Sequence, residues 1–369
     1  MAERHTIKRV VVKVGTSILS DARGRLDPAQ LSRLVRQLAD CVADGRQVVF
    51  VSSGAIACGM ARLGLARRPK AVAELQACAA IGQGELMHRY SEAFGRQRLT
   101  VAQVLLTQAD LSDQRRCANA KNTLETLLSR GVVPIINEND VVAVDEIAFG
   151  DNDRLAALVA GVVRADMLIV LSDVDGVLDH GKVIDRIDRI DLRHQALALG
   201  SSKETTTGGM ASKLSAARIA RHSGIPMVIA NGRRPKVLRD VLQGKAVGTL
   251  IAPPERAMKF RKWWIAFVMR KPLGSVVIDA GAAEALRRGG RSLLPSGITA
   301  ERGKFHAGDP IAIINGSDDE IARGVANFSS SELARIRGLR SQAIADALGR
   351  RAPAEAVHRD HLVLTEALE

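Results

Sequence analysis

Along the first two-thirds of the chain, short β-branched runs alternate with longer stretches whose apolar residues recur at helical spacing. Ile7–Val14, Gln47–Val51, Thr100–Leu106, Val132–Ile136, Met167–Leu171 and Pro226–Ala230 read as strands. Pro28–Asp44, Asn119–Ser129, Arg154–Val163 and Met210–Ser223 read as amphipathic helices. Helical segments between successive strands predict an α/β fold, a mainly parallel sheet sandwiched by helices. Several strands run directly into small or polar clusters: Gly15-Thr16-Ser17, Ser52-Ser53-Gly54, Asn137-Glu138-Asn139-Asp140 and Ser172-Asp173. Open α/β sheets bind ligands beyond the carboxyl ends of their strands, so these clusters are expected around one crevice.

The pattern changes after Pro253-Pro254. Arg256–Lys271 holds six basic residues, no acidic one and both tryptophans. Beyond it come short alternating runs, Ser275–Ile278, Pro310–Ile314 and Ile321–Val325, split by glycine turns, then a helical stretch around Ser331–Leu348. The chain therefore divides into an α/β domain over 1–258, a basic linker over 259–271 and a small strand-rich domain over 272–369.

Charge refines this division. The net charge is +13, yet the last 98 residues carry 12 basic against 13 acidic side chains. The excess lies in the larger domain, where it serves either as a solvated surface or as an attraction for an anionic substrate. A balanced second domain argues against RNA binding driven by phosphate neutralisation. The charged start and the lack of about 20 consecutive apolar residues predict a cytoplasmic protein with no membrane span. Four cysteines without C-x-x-C spacing suggest neither zinc nor disulfides.

No phosphate loop of the G-x-x-x-x-G-K-[ST] type and no G-x-G-x-x-G fingerprint occurs. A bound nucleotide would need another cradle, and two lysines suggest one. Lys13, between Val12 and Val14 and followed by Gly15, is either the solvent-facing residue of an edge strand or a rigid ammonium aimed at phosphate. Lys213 lies in Thr207-Gly208-Gly209-Met210-Ala211-Ser212-Lys213, where a helix opens. A lysine there opposes the helix dipole unless an anion sits at the amino end, with a flexible glycine connection as the plainer alternative. Asp151, Asn152 and Asp153 precede Arg154–Val163 and exceed what one helix cap needs. With Asp140 they are candidates to hold magnesium, a substrate ammonium or the lysines. Ser53 and Gly54 read as a plain cap or as a carboxylate-binding turn. The eight histidines lie outside these clusters. A phosphoryl-transfer site without an evident base suits a carboxylate acceptor, which is already ionised at neutral pH.

Together, Val12–Ser17, Val51–Ala57, Asn137–Asp140, Gly150–Asp153, Leu171–Gly176 and Thr207–Lys213 resemble the amino acid kinase family, in the branch that phosphorylates glutamate. The C-terminal region resembles a PUA module. The resemblance implies ATP-dependent phosphorylation of the L-glutamate side-chain carboxylate, the first step of proline biosynthesis, with L-proline as inhibitor. It assigns catalysis to Lys13, Lys213 and Asp153, and glutamate binding to Ser53, Gly54, Asp140 and Asn152. Nucleotide binding falls to Lys13, Gly15, Ser172, Asp173 and the loop Thr207, Gly208, Gly209, Met210, Ala211, Ser212 and Lys213. Mg2+ would ride mainly on the ATP phosphates. Asp110 lies in a segment associated with proline control, and a homo-oligomer and a glutamyl phosphate reductase are the partners implied. Val177–Lys182 departs from the family pattern beside the expected adenine pocket. The rival readings are a related acetylglutamate or aspartate kinase, or an RNA-binding role through the PUA-like domain.

Overall fold

The computed structural model describes residues 7–21, 24–143, 152–199, 209–269 and 272–368. They form two compact units that meet in sequence at Ala257 and Met258.

In the first unit, strands β1 (Arg9–Val14), β2 (Gln47–Ser52), β3 (Val101–Leu106), β4 (Val133–Glu138), β5 (Met167–Ser172), β6 (Arg186–Ile187), β7 (Met227–Asn231) and β8 (Thr249–Ile251) make one sheet. Their order is β3-β4-β2-β1-β5-β7-β8-β6. The run from β3 to β7 is parallel throughout; β8 is antiparallel to β7 and parallel to β6. All six strands expected from the sequence are present. The short β6 and β8 escaped the pattern because two or three residues cannot display a period.

Helices α1 (Pro28–Ala43), α2 (Ala55–Arg62), α3 (Val72–Gly95), α4 (Gln114–Ser129), α5 (Asn152–Val162) and α6 (Met210–His222) connect the strands. Asp27 caps α1 through its carboxylate, which accepts from the amides of Ala29 and Gln30, with Pro28 in the first turn where no amide proton is needed. Leu31, Leu34, Val35 and Leu38 then pack with Val10, Val12, Phe50 and Phe94 in the main core. Helix α5 is buried on nearly every side from Leu155 to Val162, as an apolar helix with no solvent face must be. That burial holds its first turn rigidly. Helix α3 went unread in the sequence because alanine, glycine and cysteine dilute its apolar stripe. Its Gly82 is obligatory: a Cβ there would lie 1.8 Å from the carbonyl oxygen of Ala55 and 2.4 Å from the amide nitrogen of Gly59. Helix α3 therefore lies directly against α2, the helix that follows Ser53 and Gly54.

The second unit is a five-stranded sheet. Strands β9 (Gly274–Ile278), β10 (Ile298–Gly303), β11 (Pro310–Ile314), β12 (Glu320–Val325) and β13 (Leu362–Leu364) run in the order β10-β9-β11-β12-β13. Only β9 and β11 are parallel. Val276, Ile311, Ile313, Phe328 and Leu333 belong to its apolar core. The stretch expected as a linker is helical over Phe260–Trp263 and continues as a wider helical turn over Trp264–Val268. Trp263, Trp264, Ile265 and Val268 are buried, and the stretch belongs to the second unit. Burial of the large apolar area of the tryptophans outweighed the solubility of the neighbouring bases. Among the described residues no helix is long and apolar enough to cross a membrane.

Candidate active site

Strand β1 is the middle of the parallel sheet, with Lys13 opposite Val51 of β2 and Val170 of β5. Lys13 is 6% exposed, so the edge-strand reading is excluded. An ammonium at that depth needs an opposite charge. Asp153, in the first turn of α5 and 1% exposed, supplies it: Oδ1 lies 2.5 Å from Lys13 Nζ. The other oxygen, Oδ2, accepts from Lys213 Nζ at 3.2 Å and lies 3.4 Å from Ser212 Oγ. Lys213 comes from the first turn of α6 and is equally buried. Two lysines 200 residues apart thus meet on the two oxygens of one carboxylate. Burial raises the Asp153 pKa, but the two ammonium groups outweigh it and hold the carboxyl below its ordinary value.

Asn152 precedes Asp153 and points to a second cluster. Its Nδ2 lies 2.9 Å from Ser53 Oγ, 3.0 Å from Asn137 Oδ1 and 3.3 Å from the carbonyl oxygen of Ser52. Asn152 and Asp153 are thus helix residues whose side chains serve the crevice, not the caps they resemble in sequence. Asn152 Oδ1 is buried and has no hydrogen-bond partner among the described residues. A buried acceptor left without a donor is costly, which marks a position for a ligand donor. Ser53 does not cap α2 either; the cap residue is Gly54, at φ 109°, with no side-chain hydrogen bond. That left-handed backbone favours glycine and turns the chain from β2 into α2 beside Asn152.

Asp140 lies in the turn after β4. Burial pushes its pKa up to about 6, with Arg68 pulling in the opposite direction. Asp110 is engaged elsewhere. Its carboxylate accepts from the amide and hydroxyl of Thr107, capping the helical turn Gln108–Ser112, and from Arg116 at 3.2 Å. Burial raises its pKa, and the Thr107 and Arg116 donors bring it below the ordinary value.

On the other flank, the Gly15 amide donates to the carbonyl of Leu171, and a Cβ at Gly15 would stand 3.7 Å from Lys13 Nζ. Ser172 is buried at the end of β5, and its hydroxyl donates to Asp173 at 3.1 Å. Gly209 opens α6 without a side-chain cap, and Met210, Ala211, Ser212 and Lys213 form the first turn. Thr207, Gly208 and Asp151 lie outside the described residues. The divergent segment forms a small hairpin, Leu178–Asp179 against Lys182–Val183.

Sequence reasoning missed three supports. Gln83 of α3 accepts from Asn137 at 2.7 Å, and Tyr90 of α3 shares a 2.8 Å hydrogen bond with Ser52. Arg68 is the third, sensed only through Asp140. Their signal was faint: one of two glutamines in a small-residue helix, the chain's single tyrosine, and a basic loop that reads as solvated.

The amino acid kinase family profile matches residues 8–231, and a PUA domain profile matches 274–348. The chain belongs to the amino acid kinase family. It is 46% identical to the glutamate 5-kinase of Moorella thermoacetica, covering 97% of this chain and 96% of the relative. The glutamate 5-kinase of Meiothermus ruber is 46% identical over 99% and 97%, and that of Citrifermentans bemidjiense 44% over 97% and 98%. A carbamate kinase from Giardia has 19% identity and a TM-score of 0.49, covering 67% of this chain and 99% of its own. For this family member, the parallel sheet of the first unit is the kinase fold and the five-stranded sheet of the second is the PUA domain.

Proposed function

We propose that the protein is a glutamate 5-kinase, transferring the γ-phosphoryl group of ATP to the side-chain carboxylate of L-glutamate as the entry to proline biosynthesis. The observation that carries this reading is the meeting of Lys13 and Lys213 on Asp153, beside a second cluster fit for an amino acid. The near-full-length likeness to glutamate 5-kinases from several bacteria supports the choice of acceptor.

The two ammoniums, spaced by one carboxylate, would flank the migrating phosphoryl group and neutralise charge on its equatorial oxygens. Preorganised charge of this kind, together with positioning, accounts for most of the catalysis in phosphoryl transfer. Asp153 orients both lysines and does not act as a base; its lowered pKa keeps it anionic. None is needed, because the acceptor carboxylate arrives ionised. Asp140 binds the substrate ammonium, and Ser53, Gly54 and Asn152 receive the rest of the amino acid. Gly15, Ser172, Asp173 and the residues from Thr207 to Lys213 take the nucleotide, with Mg2+ carried on its phosphates. The product is an acyl phosphate that water destroys, so a glutamyl phosphate reductase working close by is its natural consumer. L-Proline as inhibitor, with Asp110 in the responsive segment, a cytoplasmic site of action and assembly as a homo-oligomer complete the reading.

The test is ADP release with ATP and Mg2+ across L-glutamate, acetylglutamate, aspartate and carbamate, with hydroxylamine trapping of the acyl phosphate. Turnover with L-glutamate, trapped as the hydroxamate and inhibited by L-proline, is expected. Turnover with acetylglutamate in its place would overturn the reading.

A further inference from the structure

The nucleotide half of the crevice rests on turns at the ends of the neighbouring strands β1, β5 and β7. The turn after β1 carries Gly15 and passes into a single helical turn, Thr16–Leu19. Four residues cannot sustain a helix alone, so the surrounding chain must hold it. Ile18 and Leu19 are buried and fix its inner side. The carbonyls at its end have no partner within so short a helix and need donors from elsewhere.

Arg233, in the turn after β7, supplies them. Its Nη2 donates to the carbonyl of Ser17 at 2.8 Å and to that of Ser20 at 3.0 Å. A cation at the carboxyl end of a helical turn also suits the dipole there. The backbone beside Arg233 is tied to β5 as well. The Gly232 amide donates to the carbonyl of Ser172 at 2.9 Å. A Cβ at Gly232 would crowd Leu171 at 3.0 Å and Ile18 at 3.1 Å, so only glycine lets the turns lie this close. The Arg233 amide donates to Asn231 Oδ1 at 3.0 Å, and Asn231 Nδ2 donates to Asp175 Oδ1 at 3.0 Å. Buried Gln30 of α1 donates to the carbonyl of Gly232 at 3.0 Å and braces the same turn. The turn after β7 thus ties the segment that holds Gly15 to the one that holds Ser172 and Asp173, and Arg233 is its only side chain bonded to the former among the described residues. The cluster of Ser53, Asn137 and Asn152 stands apart, at the ends of β2 and β4 and on α5.

We propose that Arg233 is a positioning residue for the nucleotide, clamping the turn after β1 so that the Gly15 backbone meets the ATP phosphates in a fixed geometry. The inference rests on the nucleotide sites of the kinase reading above. Without the clamp the turn is free to sample other conformations, and nucleotide binding bears the cost of reordering it. Lys13 stays fixed by β2, β5 and Asp153, so the chemical step is largely kept. The loss is one of binding and appears in the KM for ATP.

The experiment compares the wild type with Arg233→Ala and Arg233→Lys. It measures the Kd for ADP with Mg2+ by calorimetry without any acceptor, then KM for ATP and for L-glutamate. For Arg233→Ala the Kd for ADP and the KM for ATP should rise roughly tenfold, the size of one hydrogen bond from a charged group. The KM for L-glutamate should not change, a split that a general loss of folded protein would not produce. Arg233→Lys should recover part of the loss, because an ammonium can still reach one of the two carbonyls. Should the alanine variant fail to fold, Arg233→Lys carries the same comparison with a smaller rise for ADP. An unchanged Kd for ADP, equal rises in both KM values, or a fall in kcat at constant KM for ATP would each overturn the proposal. A wild type that binds no ADP would overturn it together with the kinase reading. One that binds ADP but phosphorylates a different acceptor would overturn the choice of glutamate alone.

Discussion

The two units handle polarity in opposite ways. Every buried polar or charged side chain among the described residues, from Lys13 to Thr249, lies in the first unit. The core of the second is apolar, and its ion pairs, such as Arg302 with Asp318 and Arg337 with Glu301, lie at its surface. Burying a charge disfavours the fold unless a partner compensates it, and several such groups in one crevice mark a place where chemistry outweighs stability. The first unit therefore carries the candidate active site, built on buried, mutually compensating charges. The second is a module held together by ordinary packing.

The sharpest way to break this contrast is at the lysines. Lys213→Ala should lower kcat by about 10²–10³-fold, the cost of removing one preorganised charge-stabilising group, with little change in KM for L-glutamate. A loss confined to KM would relocate Lys213 from the reacting phosphoryl group to ground-state binding. Next comes the scaffold behind the site. Gly82→Ala forces a methyl into the α2 backbone and should cost about 2–3 kcal/mol in denaturant unfolding, near the top of the range for overpacking. A neutral result would show that α2 can move away, and that the Ser53–Gly54 turn is not held by α3.

The pH dependence sharpens the picture further. Asp140 must be ionised to hold an ammonium, and its pKa is raised to about 6. The kcat/KM for L-glutamate should be flat above about pH 6 and fall about tenfold per pH unit below it, since this ratio reports the free enzyme. Asp140→Asn should abolish that limb. Stability responds with the opposite sign. A buried carboxyl is favoured when neutral, so its contribution is greatest at low pH and is lost as pH rises through about 6. The smallest effect belongs to the second unit. Arg302→Ala should shift stability by less than about 1 kcal/mol, as exposed ion pairs do, and leave turnover untouched. A larger loss would mean that surface charge holds this unit more than its core does.

Much of this was legible along the chain. The alternation of β-branched and helical segments is a period-two and period-3.6 signal, which needs no tertiary information, and it located the six parallel strands and the polar clusters at their ends. Motif resemblance supplied the roles proposed for Lys13, Asp153 and Lys213. The gap between Asn152 as a cap and Asn152 as a bridge to Ser53 and Asn137 was not legible, because asparagine before a helix looks the same in both cases. Nor was the basic stretch around Trp263, where charge suggested a linker and burial of the tryptophans decided otherwise.

Local pattern and residue chemistry, then, determined the fold class, the order of the elements and the inventory of reactive groups, since these depend on neighbours in sequence. Which of two readings each group adopts depended on neighbours in space. Lys13 became a buried ammonium because β2 and β5 flank its strand, and Asp153 became its counter-ion because α5 is buried along its length. The turn that holds Asp140 came to lie against the start of α3 because Gln76 bonds to the carbonyl of Val141. Electrostatic energies vary with distance and burial, and only the folded chain sets both.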